Sequence, residues 1–168
     1  MFDKNMSKMQ KLTLSAMVIA LYITVLYYTQ SFSFGAYQIR IATALYALSY
    51  LFPFLVIPLG LANFIANMLF GGLGLLDMCG GFLVGIVTTA LIAGIRKLNL
   101  NRWLIVFPIL LVPGLGVSIW LSYLLEMPYL PLATSLCIGQ AIPAICGVLL
   151  VKVLERIHIG STTKTWQA

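Results

Sequence analysis

Charged side chains are scarce in this sequence. Asp, Glu, Lys and Arg make up 8% of its 168 residues, whereas hydrophobic residues make up 61%. Soluble domains carry roughly 25% charged residues, so this chain has too few of them to cover a surface that faces water. The lack of charge excludes an ordinary soluble protein and favours one that lies in a lipid bilayer.

Residues and motifs that support chemistry are also missing. The three cysteines, Cys79, Cys137 and Cys146, lie inside apolar runs without a CxxC pair or an adjacent histidine, which gives no support to a metal site or a disulfide. No Walker-type glycine loop occurs, so the chain cannot use ATP by itself. No nucleophile–base pair lies in the apolar runs. The sequence therefore predicts no enzyme activity, no metal and no cofactor.

Long apolar runs make up most of the sequence. They predict an all-α integral membrane protein with six transmembrane helices in one domain over residues 1–168. Each membrane-spanning helix takes about 20 residues, so six leave no room for a soluble domain. The second and third predicted helices are short for a full crossing. The six predicted helices cover residues 12–28, 39–52, 58–70, 75–95, 103–125 and 130–154.

The basic residues predict the orientation of these helices. Lys and Arg collect in the cytoplasmic loops of membrane proteins. With six spans and both basic tails (1–11 and 155–168) in the cytoplasm, all basic residues except Arg40 fall on the cytoplasmic side. They sit at the ends of apolar runs rather than on a polar face with aromatics, so nucleic acid is not an expected partner. We expect a multi-pass protein of the plasma membrane.

Two ionisable residues, Arg40 and Asp77, fall near the outer ends of predicted helices. An ionisable residue at membrane depth is a functional candidate when it faces protein or a wet cavity. Arg40 has the alternative role of an interface anchor whose long side chain reaches the headgroups. Asp77 has the alternative role of a cap on the fourth helix, where the helix dipole favours an anion. Both alternatives remain open from the sequence.

Uncharged polar residues accompany these two. Asn63 and Asn67 lie four apart on one helix face, Thr43 lies one turn after Arg40, and Gln140 interrupts the sixth helix. Each one alone is equally well explained as an interhelical hydrogen bond. Together they predict an outward cavity for a small, flat, hydrogen-bonding ligand. The segment 29–38 is predicted to be a loop over that cavity, with apolar walls from Phe32, Phe34, Tyr37 and Trp120. An aromatic residue at a helix end is equally expected in the interfacial belt, so Trp120 adds little to this prediction.

Small residues recur every four positions on the first helix, at Ala16, Ala20 and Thr24. Such a stripe allows another helix to approach closely. The partner is either a neighbour within the bundle or a helix of another protein.

Three stretches carry a resemblance to a known family: SFGAYQIR (33–40), LANFIAN (61–67) with GGLGLLD (71–77), and the small-residue stripe. They are similar to the substrate-binding S components of energy-coupling factor (ECF) vitamin transporters, specifically the queuosine-precursor, QueT-type, branch. The resemblance implies a six-helix fold that binds a 7-deazaguanine, in a bacterial plasma membrane. It also implies three protein partners: a transmembrane coupling protein, docked on the stripe, and two cytoplasmic ATPases. Gln38, Arg40, Asn67 and Asp77 match motif positions with binding roles.

Two positions depart from the family pattern. That pattern has Glu where this chain has Thr43, and often Gly-Glu where it has Gly139 and Gln140. A 7-aminomethyl-7-deazaguanine carries an ammonium, and a buried charge without a partner is costly. Queuine and the uncharged 7-cyano analogue therefore remain open as ligands. The alternatives are an S component for another small vitamin, such as riboflavin or biotin, and a scaffold subunit without a ligand.

Overall fold

The structure is a computed structural model that describes residues 6–33, 38–71 and 73–164, and these residues contain no strand. Short 3₁₀ turns precede α2 (Pro53–Leu55) and α4 (Arg102–Ile105), and a π turn follows α2 (Asn67–Gly71). The helices are α1 (Lys8–Ser33), a 3₁₀ helix (Ile41–Tyr50), α2 (Val56–Ala66), α3 (Leu75–Lys97), α4 (Val106–Leu124) and α5 (Tyr129–Lys164).

Five helices of the described chain are long and apolar enough to cross a membrane. With their flanking turns they cover Lys8–Ser33, Pro53–Gly71, Leu75–Lys97, Arg102–Leu124 and Tyr129–Ile157. Large apolar side chains cover the outside of the bundle, as Leu75, Ile119 and Leu130 illustrate. An apolar exterior of this kind is stable against lipid tails but not against water. The prediction of an all-helical, multi-span architecture is thus confirmed for five helices.

The predicted second span is the short 3₁₀ helix Ile41–Tyr50. At a rise of about 2.0 Å per residue its ten residues extend about 20 Å, less than the roughly 30 Å of a bilayer core. It contacts all five α-helices, and eight of its ten residues are buried. A helix that is apolar all round is stable when surrounded by others. This element is therefore the centre of the bundle, and a sixth full crossing remains a prediction.

The first helix is longer than predicted and includes the first five residues of the predicted loop. Helix α1 continues to Ser33 instead of ending at residue 28. The Thr29 hydroxyl donates to the Val25 carbonyl at 2.7 Å and lies 3.2 Å from the Ser33 hydroxyl. A hydroxyl that is hydrogen-bonded within its own helix does not have to reach water, so these polar residues do not force the helix to end. The predicted loop at 29–38 is thus wrong over residues 29–33, and Phe32 belongs to the last turn of α1.

Two other helix boundaries differ from the predicted ones. The third span starts at Pro53, five residues before the predicted Pro58, because a 3₁₀ turn leads directly into α2. Helix α5 continues to Lys164, ten residues beyond the predicted end at residue 154. Most of the predicted C-terminal tail is therefore helical.

Most cations gather at one end of the bundle, which we call the basic end and define by Arg96, Lys97, Arg102, Lys152 and Arg156. Glu155 of α5 forms ion pairs there with Arg96 at 3.3 Å and Arg102 at 2.6 Å. The Arg96 guanidinium lies over the ring of Tyr50, and Lys11 lies over the ring of Phe54. The start of α1 and the Glu155 turn of α5 consequently lie at the same end. Which side of the membrane this end faces remains a prediction.

Candidate functional site

A buried polar cluster lies at the other end of the bundle, where the 3₁₀ helix, α2 and α3 meet. Arg40, directly before the 3₁₀ helix, is only 6% exposed. Its Nη2 donates a short hydrogen bond to Oδ1 of Asn67, and Nδ2 of Asn67 donates to the Asp77 carbonyl at 3.1 Å. Arg40 is therefore not an anchor that reaches the membrane surface. Its guanidinium is held inside the protein by a hydrogen-bonded amide.

Asp77 lies in the first turn of α3 and is also buried. Gly74 leads into that helix with φ +83 and ψ −169, a conformation essentially restricted to glycine. The Oδ1 atom of Asp77 accepts a hydrogen bond from Nε1 of Trp120 at 3.0 Å. Trp120 thus orients the carboxylate from α4. Gly74, and not Asp77, therefore occupies the N-cap position, while Asp77 lies in the first turn, where the helix dipole favours its charge.

Thr43 and Gln140 are direct partners. The Thr43 hydroxyl lies 2.8 Å from Oε1 of Gln140 and 2.7 Å from the Arg40 carbonyl, and both side chains are buried. These are the two positions at which the resemblance to the QueT-type branch predicts acidic residues. Because their bond is neutral on both sides, the departure places an uncharged pair beside the arginine.

Asn63 and Asn67 both point at Gly81 of α3. Nδ2 of Asn63 donates to the Gly81 carbonyl at 2.7 Å, while its buried Oδ1 accepts no hydrogen bond. A Cβ on Gly81 would collide with Nδ2 of Asn67 and lie 3.3 Å from Nδ2 of Asn63. Glycine at this position therefore provides the space in which the two amides lie. The orphan Oδ1 is a free acceptor beside the cluster.

Replacing Gly81 by alanine tests this packing. We expect Gly81→Ala to displace the Asn67 amide and to lower the free energy of unfolding by about 1–3 kcal/mol, the usual cost of overpacking. Gly94→Ala is the matched control on the same helix, since a Cβ there meets no atom within 4 Å. It is expected to be neutral or slightly stabilising. Thermal unfolding in detergent compares the two, and equal midpoints would contradict the placement of Asn67.

The structure describes only some of the residues that were predicted to cover the ligand cavity. Phe32 is 67% exposed on the last turn of α1, and its carbonyl accepts a hydrogen bond from the Ile39 amide at 3.0 Å. Gln38 is half-buried and has a positive φ of 42, which is uncommon for a residue other than glycine. Phe34 and Tyr37 lie outside the described residues. Of the predicted cover, the structure therefore places only Phe32, on a helix.

The small-residue stripe faces outward. Ala16, Ala20 and Thr24 are all exposed, so the alternative that they pack against a neighbour within the bundle is wrong. Ala20 and Thr24 line an apolar groove of about 580 Å³ that α1 forms with the 3₁₀ helix and α5. Leu45 and Leu150 form part of its opposite walls. The stripe is thus an open surface on which a helix of another protein can lie.

The site is a compact set of donors and acceptors suited to binding rather than to reaction. It combines one guanidinium, one carboxylate and several amide and hydroxyl groups, all buried. A family model described as QueT transporter matches residues 12–156, which is most of the chain. This chain belongs to the QueT transporter family. It is a membrane transport protein and not an enzyme.

The family match covers the whole polar cluster and the exposed stripe of this QueT-family chain. No curated protein and no solved structure matches the chain significantly. Trp120 is the residue of the cluster whose role the sequence did not predict: the ring was expected only as an apolar wall, whereas its Nε1 donates to Asp77. Gly80 of α3 leaves the space in which the Trp120 ring lies, because a Cβ at this position would be 2.8 Å from the ring.

Proposed function

We propose that this chain is the substrate-binding S component of an ECF importer and that it captures a queuosine precursor for ATP-driven uptake. The observation that carries the proposal is the buried cluster of Arg40, Asn67 and Asp77 in a transporter-family protein. Burying such polar groups is costly unless they bind one another or a ligand. A substrate that completes their hydrogen bonds explains why they lie together.

The chemistry of a 7-deazaguanine fits these groups. Its guanine edge presents two neighbouring N–H donors and one carbonyl oxygen in a plane. We assign the N–H donors to the Asp77 carboxylate, which Trp120 orients from one side. We assign the carbonyl to the Arg40 guanidinium, whose planar donors favour directional bonds. The orphan Oδ1 of Asn63 is a further acceptor.

The neutral pair of Thr43 and Gln140 helps to decide which deazaguanine fits the site. These side chains bond each other and leave no carboxylate at the two positions where the family pattern has acids. The 7-aminomethyl compound would bury an ammonium there without a matching charge. Queuine, whose diol arm suits hydroxyl and amide partners, and the 7-cyano compound fit this pair better. Queuine also carries a protonated amine, which would then be paired by water, because the Asp77 carboxylate is assigned to the guanine edge.

The partners follow from the same proposal. The chain carries no nucleotide-binding motif, so uptake depends on two cytoplasmic ATPases and on a transmembrane coupling protein. We assign docking of the coupling protein to the exposed stripe Ala16, Ala20 and Thr24. The whole assembly is expected in the plasma membrane of a bacterium.

Direct titration of the detergent-purified chain tests the proposed ligand. The panel is queuine, 7-cyano- and 7-aminomethyl-7-deazaguanine, guanine, riboflavin and biotin. We expect at least one deazaguanine to bind about tenfold or more tightly than guanine, a difference of about 1.4 kcal/mol. Preferential binding of riboflavin or biotin would instead identify an S component for another vitamin. A folded sample that binds none of these compounds would favour a scaffold subunit.

A further inference from the structure

We propose that the basic end carries a binding site for the phosphate group of an anionic phospholipid. The site is a cavity of about 290 Å³ lined by Arg102, Lys152, Glu155 and Arg156. It lies between the turn that starts α4 and the last membrane-level turns of α5, far from the polar cluster at the opposite end. It is independent of the proposed transport substrate.

The charges around this cavity favour an anion. The single carboxylate, Glu155, is 14% exposed and is already shared between Arg96 and Arg102. These are the two ion pairs that the described part of the chain contains, and neither involves Lys152 or Arg156. The lining therefore holds three cations and one anion, and two of those cations, Lys152 and Arg156, lie outside the described ion pairs. A phosphate oxygen accepts strong, charge-assisted bonds from such groups.

Glu155 also fixes the geometry of the site. Nη1 of Arg102 lies 2.6 Å from Oε2 of Glu155. This ion pair holds the Arg102 guanidinium at the edge of the cavity. Lys152 and Arg156 are four residues apart on α5 and lie on one face of that helix. One positioned arginine and two exposed cations can thus surround a single phosphate group.

An apolar stripe on the same helix indicates that the phosphate belongs to a lipid. The exposed residues of α5 recur at helical spacing and continue to the two cations, so an acyl chain can lie along the stripe while its headgroup reaches them. Trp103, next to Arg102, is exposed, as is typical of aromatic residues at the membrane interface. The stripe consists of Ile142, Ile145, Leu149, Val153 and Ile157.

The test uses the full chain in detergent with three probes: dihexanoyl phosphatidylglycerol, dihexanoyl phosphatidylcholine and inorganic phosphate. Native mass spectrometry gives the bound fraction of each. We expect the anionic lipid to bind at least about tenfold more tightly than the other two. In Lys152→Gln or Arg156→Gln its affinity should fall about fivefold, and in the double variant about 25-fold, since each cation near the surface contributes about that factor.

Lys97→Gln is the matched control, because it removes an exposed cation of the basic end that does not line the cavity. Its affinity for the anionic lipid should equal that of the unmodified chain. Equal binding of both lipids would overturn the proposal, as would unchanged binding in the double variant. Inorganic phosphate that binds as tightly as the anionic lipid would identify a site for a soluble phosphate. If the double variant unfolds at a lower temperature, the two single variants decide the outcome.

Discussion

Arg40→Ala is expected to weaken binding of the preferred deazaguanine by about 30-fold or more. Losing a hydrogen bond to a buried charged group typically costs about 1.5–3 kcal/mol, and each 1.4 kcal/mol is a factor of ten in affinity. Arg40 is the only buried cation among the described residues, and its donors are directed by Asn67. Isothermal titration with the best ligand of the panel measures the loss.

Part of that loss will come from the protein itself, because Arg40→Ala leaves Oδ1 of Asn67 without its partner. Asp77→Asn separates the two effects, since an asparagine oxygen still accepts the bond from Trp120 while the charge is removed. We expect Asp77→Asn to fold normally and to bind about tenfold or more weakly.

Lys97→Ala controls for a general effect of losing one positive charge, because it removes a cation from the opposite end of the bundle. It should leave the affinity for the deazaguanine unchanged. If Arg40→Ala and Asp77→Asn both bind the ligand as well as the unmodified chain, the polar cluster is a structural feature and the site lies elsewhere.

Ala20→Trp is expected to abolish uptake while ligand binding stays intact. Ala20 is exposed on α1 and lines the apolar groove, so an indole there prevents close approach of a partner helix. Helix pairs in membranes depend on small residues at the contact because they are held by van der Waals packing. Uptake of labelled ligand into proteoliposomes that contain the coupling protein and ATPases should fall to background, and the chain should no longer copurify with them.

Ala90→Trp makes the same substitution at an exposed alanine of α3, away from the stripe. It should leave uptake and copurification unchanged. Loss of ligand binding in Ala20→Trp, with normal copurification, would contradict the assignment of the stripe to docking. Normal uptake in that variant would do the same.

The sequence predicted the individual members of the polar cluster better than their partners. Arg40 and Asp77 stood out because ionisable residues are expensive at membrane depth. Asn63 and Asn67 stood out by their helical spacing, and both do face Gly81. Trp120 did not stand out, since its bond to Asp77 joins residues 43 positions apart on different helices.

The second predicted span shows what hydrophobicity along the chain cannot predict, namely whether an apolar helix faces lipid or protein. Residues 39–52 are apolar enough for a membrane helix, but hydrophobicity does not distinguish a lipid-facing helix from one surrounded by protein. The 3₁₀ geometry of Ile41–Tyr50 and its central position depend on packing against the five α-helices. Similarly, hydrogen bonds within α1 carry the helix through the polar residues after Tyr28.

By itself the sequence determined that this protein belongs in a bilayer, that it is helical, and that it carries a few polar residues with no place in lipid. Composition and periodicity suffice for this, because each helix satisfies its own backbone and its apolar surface is a local property. The tertiary structure alone decided which polar groups meet. The bond between Thr43 and Gln140 joins residues 97 positions apart, and such pairs depend on how the helices pack. Packing likewise decided that the stripe on α1 faces outward.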